Sequence, residues 1–415
     1  MKKFFKKQPG LWISLFIVII MTLSISTLVF QSGRLTFKIV NNSGDTGVLK
    51  GLDIAGLLQD NYFGVDFNIK GGKVKQSLMY YNNNSTYDEN LNKYYINSSY
   101  FAFNDLITED YIYEMNVSCP AKSYPGVKGS IVMSPRNGGK SKAVSFQSAL
   151  TTYESGGNHI QTMAVVGDKL YFVIPTNEND RGKSGLYEVS KFSSDWENNE
   201  DAGSYRELAS FDLEDGKVHV LGMTAVENKL CVILTENGKV VLRLYDSKNE
   251  EFTDYKEITP PFDINGGGEI YTRGIFVSGN KMMLCTYVYN SMVVDIFDIS
   301  ERISQIGSIR LDENSYMRSA GGADIKDMIY KNDMLYFILV NYAFSENYKP
   351  ETSSMELRPD PDPYLDLYVY SGKGDLKYSG TVSTDIKDDN IWQLKDGPQA
   401  DESYPNRKFV YVKLK

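Results

Sequence analysis

Four stretches of the chain align without gaps: GGNHIQTMAVVGDKLYFVI from Gly156, GKVHVLGMTAVENKLCVIL from Gly216, GEIYTRGIFVSGNKMMLCT from Gly268 and GGADIKDMIYKNDMLYFIL from Gly321. Each opens on Gly and carries Asp or Asn twelve residues later, at Asp168, Asn228, Asn280 and Asp333, and Lys follows in three of the four. Apolar runs on both sides of Gly-Asp, Glu-Asn, Gly-Asn or Asn-Asp read as β-hairpins, because these residue pairs tolerate the positive φ of a tight turn. A third strand ends in an aromatic pair at Leu186-Tyr187, Leu244-Tyr245, Ile296-Phe297 and Val369-Tyr370, and Tyr205–Leu213, Tyr255–Ile264, Ser304–Leu311 and Leu376–Val382 supply a fourth. A unit of four strands that recurs must bury its apolar faces against its own neighbours.

The turn anchors are 60, 52 and 53 residues apart, and weaker hairpins at Asn61, Asp110 and Asn406 bring the count to seven. Four strands per unit at such a period predict an all-β fold, a β-propeller of seven blades, with six or eight also compatible. Over residues 35–415 the chain resembles the bacterial propellers of the WD-type and quinoprotein-like superfamily, since Tyr187-Glu188 and Tyr245-Asp246 stand where WD repeats carry Trp-Asp. The resemblance implies architecture only. The Gly-His and Trp-Asp pairs of WD repeats, the Gly-Gly of kelch repeats and the sialidase box are absent, so no functional residue carries over.

Residues 8–33 hold no charged side chain, and Leu11–Phe30 is long enough as a helix, about 30 Å, to cross a bilayer. Lys2, Lys3, Lys6 and Lys7 precede it, which predicts a cytoplasmic tail over 1–10, a signal-anchor helix over 11–30 and an extracytoplasmic propeller over 31–415. The competing reading is a cleaved signal peptide, for which Ser24-Ile25-Ser26 is a poor processing site. The bias toward Lys, Asn, Ile and Tyr fits an AT-rich bacterial genome, and the expected location is a Gram-positive cell membrane. Four of the 44 basic residues precede the apolar run and all 53 acidic ones follow it, so the exported part carries 40 − 53 = −13. Nucleic acid and anionic lipid faces, which select clustered Lys and Arg, are thereby disfavoured as partners, and membrane contact is expected through the N-terminal helix only. Cys119, Cys231 and Cys285 lack metal-ligand spacing and read as buried thiols.

Both histidines, His159 and His219, fall nine residues before a turn anchor, where the next repeats hold Tyr271 and Asp324; two residues on come Gln161, Leu221, Arg273 and Lys326. On the innermost strands these residues line the mouth of the central channel, where His159, His219, Tyr271, Arg273 and Asp324 form a candidate ligand or metal site. The plainer reading is that they cap strand ends. A polar, Pro-rich excursion at about 343–363, followed by Asp366, offers Asp360, Asp362 and Asp366 as oxygen ligands for calcium. It lacks the EF-hand pattern, and the plainer reading is an acidic loop solvated by water. No cofactor is otherwise expected. Asn137-Gly138-Gly139-Lys140-Ser141 lacks the first Gly of a phosphate loop and lies between two strand-like runs, so it reads as a hairpin turn. No G-x-S-x-G occurs.

Tyr- and Asn-rich runs such as Tyr80–Asn84 suit a recognition surface. The expected function is a non-enzymatic, surface-displayed binding or scaffold module that engages a protein partner, such as a membrane complex. The alternative is an exported hydrolase or lyase, or a small-ligand sensor, with its site at the channel mouth.

Overall fold

A computed structural model describes residues 37–59, 63–71, 73–80, 105–108, 110–118, 126–135, 139–153, 161–192, 203–258, 271–288, 291–312, 324–343, 362–384 and 408–415, with Val18, Ile20 and Met21. The first strand, β1 (Phe37–Gly44), leads through a 3-10 turn at Thr46–Leu49 into sheet I, made of β2 (Asp53–Gln59), β3 (Phe63–Lys70) and β4 (Lys73–Tyr80). Sheet II holds β5 (Asp105–Ile107), β6 (Tyr111–Ser118), β7 (Lys128–Pro135) and β8 (Lys142–Gln147). In sheet III, β9 (Ala149–Thr152) pairs with the start of β12 (Arg181–Lys191), beside β10 (Met163–Val166), β11 (Lys169–Val173) and β13 (Ser204–Asp212). Sheet IV is β14 (Val218–Val226), β15 (Lys229–Glu236), β16 (Lys239–Asp246) and β17 (Glu251–Ile258); sheet V is β18 (Tyr271–Ser278), β19 (Lys281–Val288), β20 (Ser291–Asp298) and β21 (Ser304–Asp312). Sheet VI is β22 (Asp324–Lys331), β23 (Met334–Ala343), β24 (Asp362–Ser371) and β25 (Leu376–Thr384), and β26 (Lys408–Leu414) ends the chain.

Every pairing is antiparallel and each sheet is an up-and-down meander. The first strands of successive sheets pack side by side, β5 on β10, β10 on β14, β14 on β18, β18 on β22 and β22 on β26. This is a propeller arrangement, with those strands nearest the axis. The two ends of the chain interlock sheets I and VI. The last strand, β26, is the inner strand of sheet I, with Ile54 opposite Leu414, whereas β1 is a fifth, outermost strand of sheet VI, with Phe37 opposite Thr384.

That closure corrects the count made from the turn anchors. The strand after Asn406 has no hairpin of its own and joins β2, the strand before Asn61, so the seven anchors fall in six sheets among the described residues. The anchor near Asn61 connects second and third strands rather than first and second, so its spacing belongs to a different step of the unit. In the long repeat Asp362 and Pro363 already belong to β24, opposite Ala343 and Tyr342. Asn137–Ser141 does join two antiparallel strands, β7 and β8. Val18, Ile20 and Met21 are helical and exposed, but the rest of Leu11–Phe30 lies outside the described residues, among which no helix is long and apolar enough to cross a membrane.

The repeated residues have local causes. Gly167, Glu227, Gly279 and Asn332, the first residues of the four aligned hairpin turns, all have positive φ, between 54° and 64°, the backbone state that matches the twist of paired strands. Gly216, which opens the second aligned stretch, also has positive φ, at 64°; Gly156, Gly268 and Gly321 lie outside the described residues. The aromatic pair of each third strand marks a bulge in the fourth: register breaks opposite Leu186/Tyr187, Leu244/Tyr245, Ile296/Phe297 and Val369/Tyr370 push out Leu208, Thr253, Ile306 and Lys377. Such a bulge sharpens the twist of the outer strand around the bulky ring beneath it.

Apolar packing lies between neighbouring sheets. Phe146 of sheet II meets Phe172 of sheet III with ring centroids 4.8 Å apart, and Phe37 of β1 stacks on Phe67 of sheet I at 4.3 Å. Separate clusters of buried side chains join II to III, III to IV, IV to V, V to VI and VI to I. Burying one such side chain contributes about 1.5–3 kcal/mol, and stability therefore depends on each sheet having its neighbour. Cys231 and Cys285 are free and fully buried in these seams, as their apolar surroundings predict.

Candidate functional site

The first strands start on the face opposite the four hairpin turns, and we name the two sides the loop face and the turn face. On the loop face, sheets IV, V and VI place His219, Tyr271 and Asp324 at equivalent backbone positions, opposite Thr235, Tyr287 and Val340. His159, and the side chains of Tyr271, Arg273 and Asp324, lie outside the described residues. The backbone thus sets three of the five candidates on one face, one per sheet. Arg273 is the residue pushed out by a bulge between Thr272 and Gly274, and Leu221, Lys326 and Val410 hold the same bulged position in β14, β22 and β26.

Gln161, ahead of β10, shows what this position does. Its carbonyl accepts from Met223 N at 2.7 Å, its Nε2 donates to Met163 O at 2.8 Å, and Thr224 Oγ1 donates to its Oε1 at 3.3 Å, joining sheet III to sheet IV. His219 lies in the same seam, under the connection 174–180 of sheet III. That connection is held by Asn177 N donating to Asp180 Oδ2 and Asn179 N to Asn177 Oδ1, both at 2.8 Å. It is stitched to β14 by Thr176 N donating to Val220 O and Val220 N to Thr176 Oγ1. Burial lowers the His219 pKa and Arg181 adds to the effect, against the Asn177 carbonyl, Glu178 and Asp180, so the imidazole is neutral at pH 7. Its Nδ1 is buried without a hydrogen-bond partner.

Of the proposed calcium ligands, Asp360 lies outside the described residues, as does the side chain of Asp362. Asp366 sits within β24, where Thr381 Oγ1 donates to its Oδ1 at 2.9 Å and Asn341 Nδ2 donates to its Oδ2, which makes it a cross-strand link. Among the described residues no group of three or more His, Cys, Asp and Glu side chains is placed to hold a metal.

The turn face holds a second set of polar contacts, built from the residues beside the anchors. The Lys after the anchor pairs with the acid at the end of the third strand: Lys169 with Glu188 at 3.0 Å, and Lys281 with Asp298. These acids follow Tyr187 and Phe297, so Tyr187-Glu188, in the Trp-Asp place, supplies a cross-strand ion pair. Arg206 extends the first pair to Glu188 and on to Glu250 of sheet IV. Burial pushes the Glu188 carboxyl up, but Arg206 and Lys169 more than offset this and hold it below the ordinary range. In sheet IV, Lys229 instead donates to the Ser300 and Glu301 carbonyls of sheet V, at 2.9 Å each.

Asp327, 3% exposed, holds the closure: Leu414 N of β26 donates to its Oδ2 at 2.6 Å and Met328 N to its Oδ1 at 2.9 Å. Burial raises its pKa despite Lys413 and these two donors.

No protein-family model and no curated protein matches the chain. Among solved structures it is similar to the β-propeller domain of Cps50 (Swd1) from Myceliophteria thermophila, at 12% identity and a TM-score of 0.32 over 83% of this chain and 89% of that one. It is also similar to the β-propeller domain of the Trilobed protease from Pyrococcus furiosus, at 10% identity and a TM-score of 0.28 over 67% and 82%. A Synechocystis apocarotenoid oxygenase shares 11% identity with a TM-score of 0.30 over 67% of this chain, which spans 62% of the oxygenase. None of these likenesses assigns a ligand, a reaction or a partner to this chain.

Proposed function

We propose that the chain is a non-enzymatic binding module, a closed six-bladed propeller displayed outside a membrane on its N-terminal helix and engaging a protein partner through its loop face. The observation that supports this is the unequal length of the connections on the two faces. Apart from 192–203, between β12 and β13, the turn-face connections are short, and the four aligned hairpins close in two residues. The connections 81–104, 259–270, 313–323, 344–361 and 385–407 all join strand ends on the loop face, and all but 259–270 are rich in Tyr, Asn, Ser and acidic residues. Connections are where a rigid scaffold carries recognition, and Tyr supplies contact area at low entropic cost.

The test uses full-length protein solubilised from membranes in mild detergent. Glu178→Lys with Asn179→Lys alters the loop face, and Lys248→Glu with Asn249→Lys alters the turn face; all four side chains are exposed. A stoichiometric protein partner should stay with the parent and the turn-face variant and be lost from the loop-face variant. Equal retention by both variants, or no stoichiometric partner, would refute the proposal.

The second reading, a small-ligand or catalytic site at the channel mouth, has the unpartnered His219 Nδ1 in its favour. Divalent metals and sugars that raise the melting temperature of the parent but not of a His219→Ala variant would support it, since ligand binding stabilises the native state by mass action.

A further inference from the structure

The position of β1 points to how the propeller is presented. It runs from the loop face to the turn face along the outer edge of sheet VI, with Phe37 opposite Thr384 and Gly44 opposite Tyr378. Phe37 is 2% exposed and stacked on Phe67, so the chain is fixed at the loop-face rim from that residue onward. Six residues separate Phe37 from Phe30, the end of the apolar run, a reach of about 25 Å at full extension. We infer that the loop face is held against the membrane at sheet VI and addresses the extracytoplasmic surface of an integral membrane protein. This rests on the apolar run being a membrane span. A protein rather than the lipid is the occupant, because the exported part carries 40 basic against 53 acidic residues, and anionic headgroups repel that balance.

Photo-crosslinking amino acids placed in the full-length protein, in native membranes, test this. Lys38 and Glu178 are exposed on the loop face of sheets VI and III, and Lys373 and Lys248 on the turn face of sheets VI and IV. Probes at Lys38 and Glu178 should capture one membrane-embedded protein, and probes at Lys373 and Lys248 should not. Inserting twenty Gly and Ser residues between Gly33 and Arg34 should reduce that capture several-fold by lowering the effective concentration of the face at its target. Capture from the turn-face positions, capture of lipid alone, or indifference to the longer tether would overturn the inference. Release of the chain by a high-salt wash would instead overturn the span beneath it, and is scored separately on the unmodified protein.

Discussion

At the scale of single residues, the hairpin turns show where side-chain identity and backbone demand disagree. Glu227 holds a φ of 55° at the position where two other repeats have Gly and one has Asn. A left-handed backbone costs a residue with a Cβ about 1 kcal/mol, and the side chain is exposed. Glu227→Gly should therefore stabilise the protein by about 0.5 kcal/mol, less than the full strain because Gly also gains freedom when unfolded, readable as a higher urea midpoint with an unchanged slope. The ion pair of Lys281 and Asp298 gives a pH dependence. Lys281, with help from Ser300, holds the Asp298 carboxyl down at about 2 from its ordinary 3.8. A depressed carboxylate stabilises fully above its unfolded pKa, so this contribution is present at neutral pH and lost as the pH falls from about 4 to about 2. In Lys281→Met the drop in stability between pH 6 and pH 2.5 should be smaller than in the parent, as measured by denaturant midpoints at the two pH values.

At the scale of elements, the hairpins, the third strands and the fourth strands could be read from the sequence because turn chemistry and apolar runs are local signals. Each of those strands overlaps the place that the four aligned repeats give it, but β17 runs Glu251–Ile258 and shares only residues 255–258 with the expected Tyr255–Ile264, of which 259–264 lie outside the described residues. Closure was not legible, because the partner of β26 is set by the end of the circle and no residue near Asn406 records it. The candidate site divides in the same way. The positions of His219, Tyr271 and Asp324 on one face follow from the repeat alone, whereas the contact of His219 with Asn177 depends on the neighbouring sheet. The Lys-acid pairs had a signal, since Lys follows three anchors and acids follow three of the aromatic pairs, but only the strand register shows that Lys281 faces Asp298 and that Lys169 reaches Glu188 diagonally, from the residue two before Tyr171. Phe37 tests the outer clasp: Phe37→Ala removes the ring stacked on Phe67 between sheets VI and I and should cost about 3–5 kcal/mol, seen as a lower melting temperature.

At the scale of the whole molecule, the buried clusters shared between neighbouring sheets make stability a property of the circle. A chain ending at residue 407 lacks β26 and leaves Asp327, β2 and the inner face of sheet I without their partners. It should lose cooperative unfolding rather than melt a few degrees lower, and a calorimetric scan beside the full chain would show a broad, low-enthalpy transition. Asp327→Ala is the milder form of the same test. It leaves the buried Leu414 N–H without its acceptor, at a cost of about 1–3 kcal/mol, with cooperativity retained.

The clasp also fixes an order of events in biosynthesis. Because Lys408–Leu414 is the inner strand of the sheet that β2 begins, β2 emerges hundreds of residues before its partner exists. Throughout that interval an apolar strand offers an open hydrogen-bonding edge to any chain nearby. A ribosome stalled before residue 408, or a protease that removes 408–415, leaves β2 with that edge open. Strand Lys408–Leu414 is therefore the checkpoint of assembly: a reporter fused directly after it meets the closing strand, whereas one fused ahead of Phe37 does not.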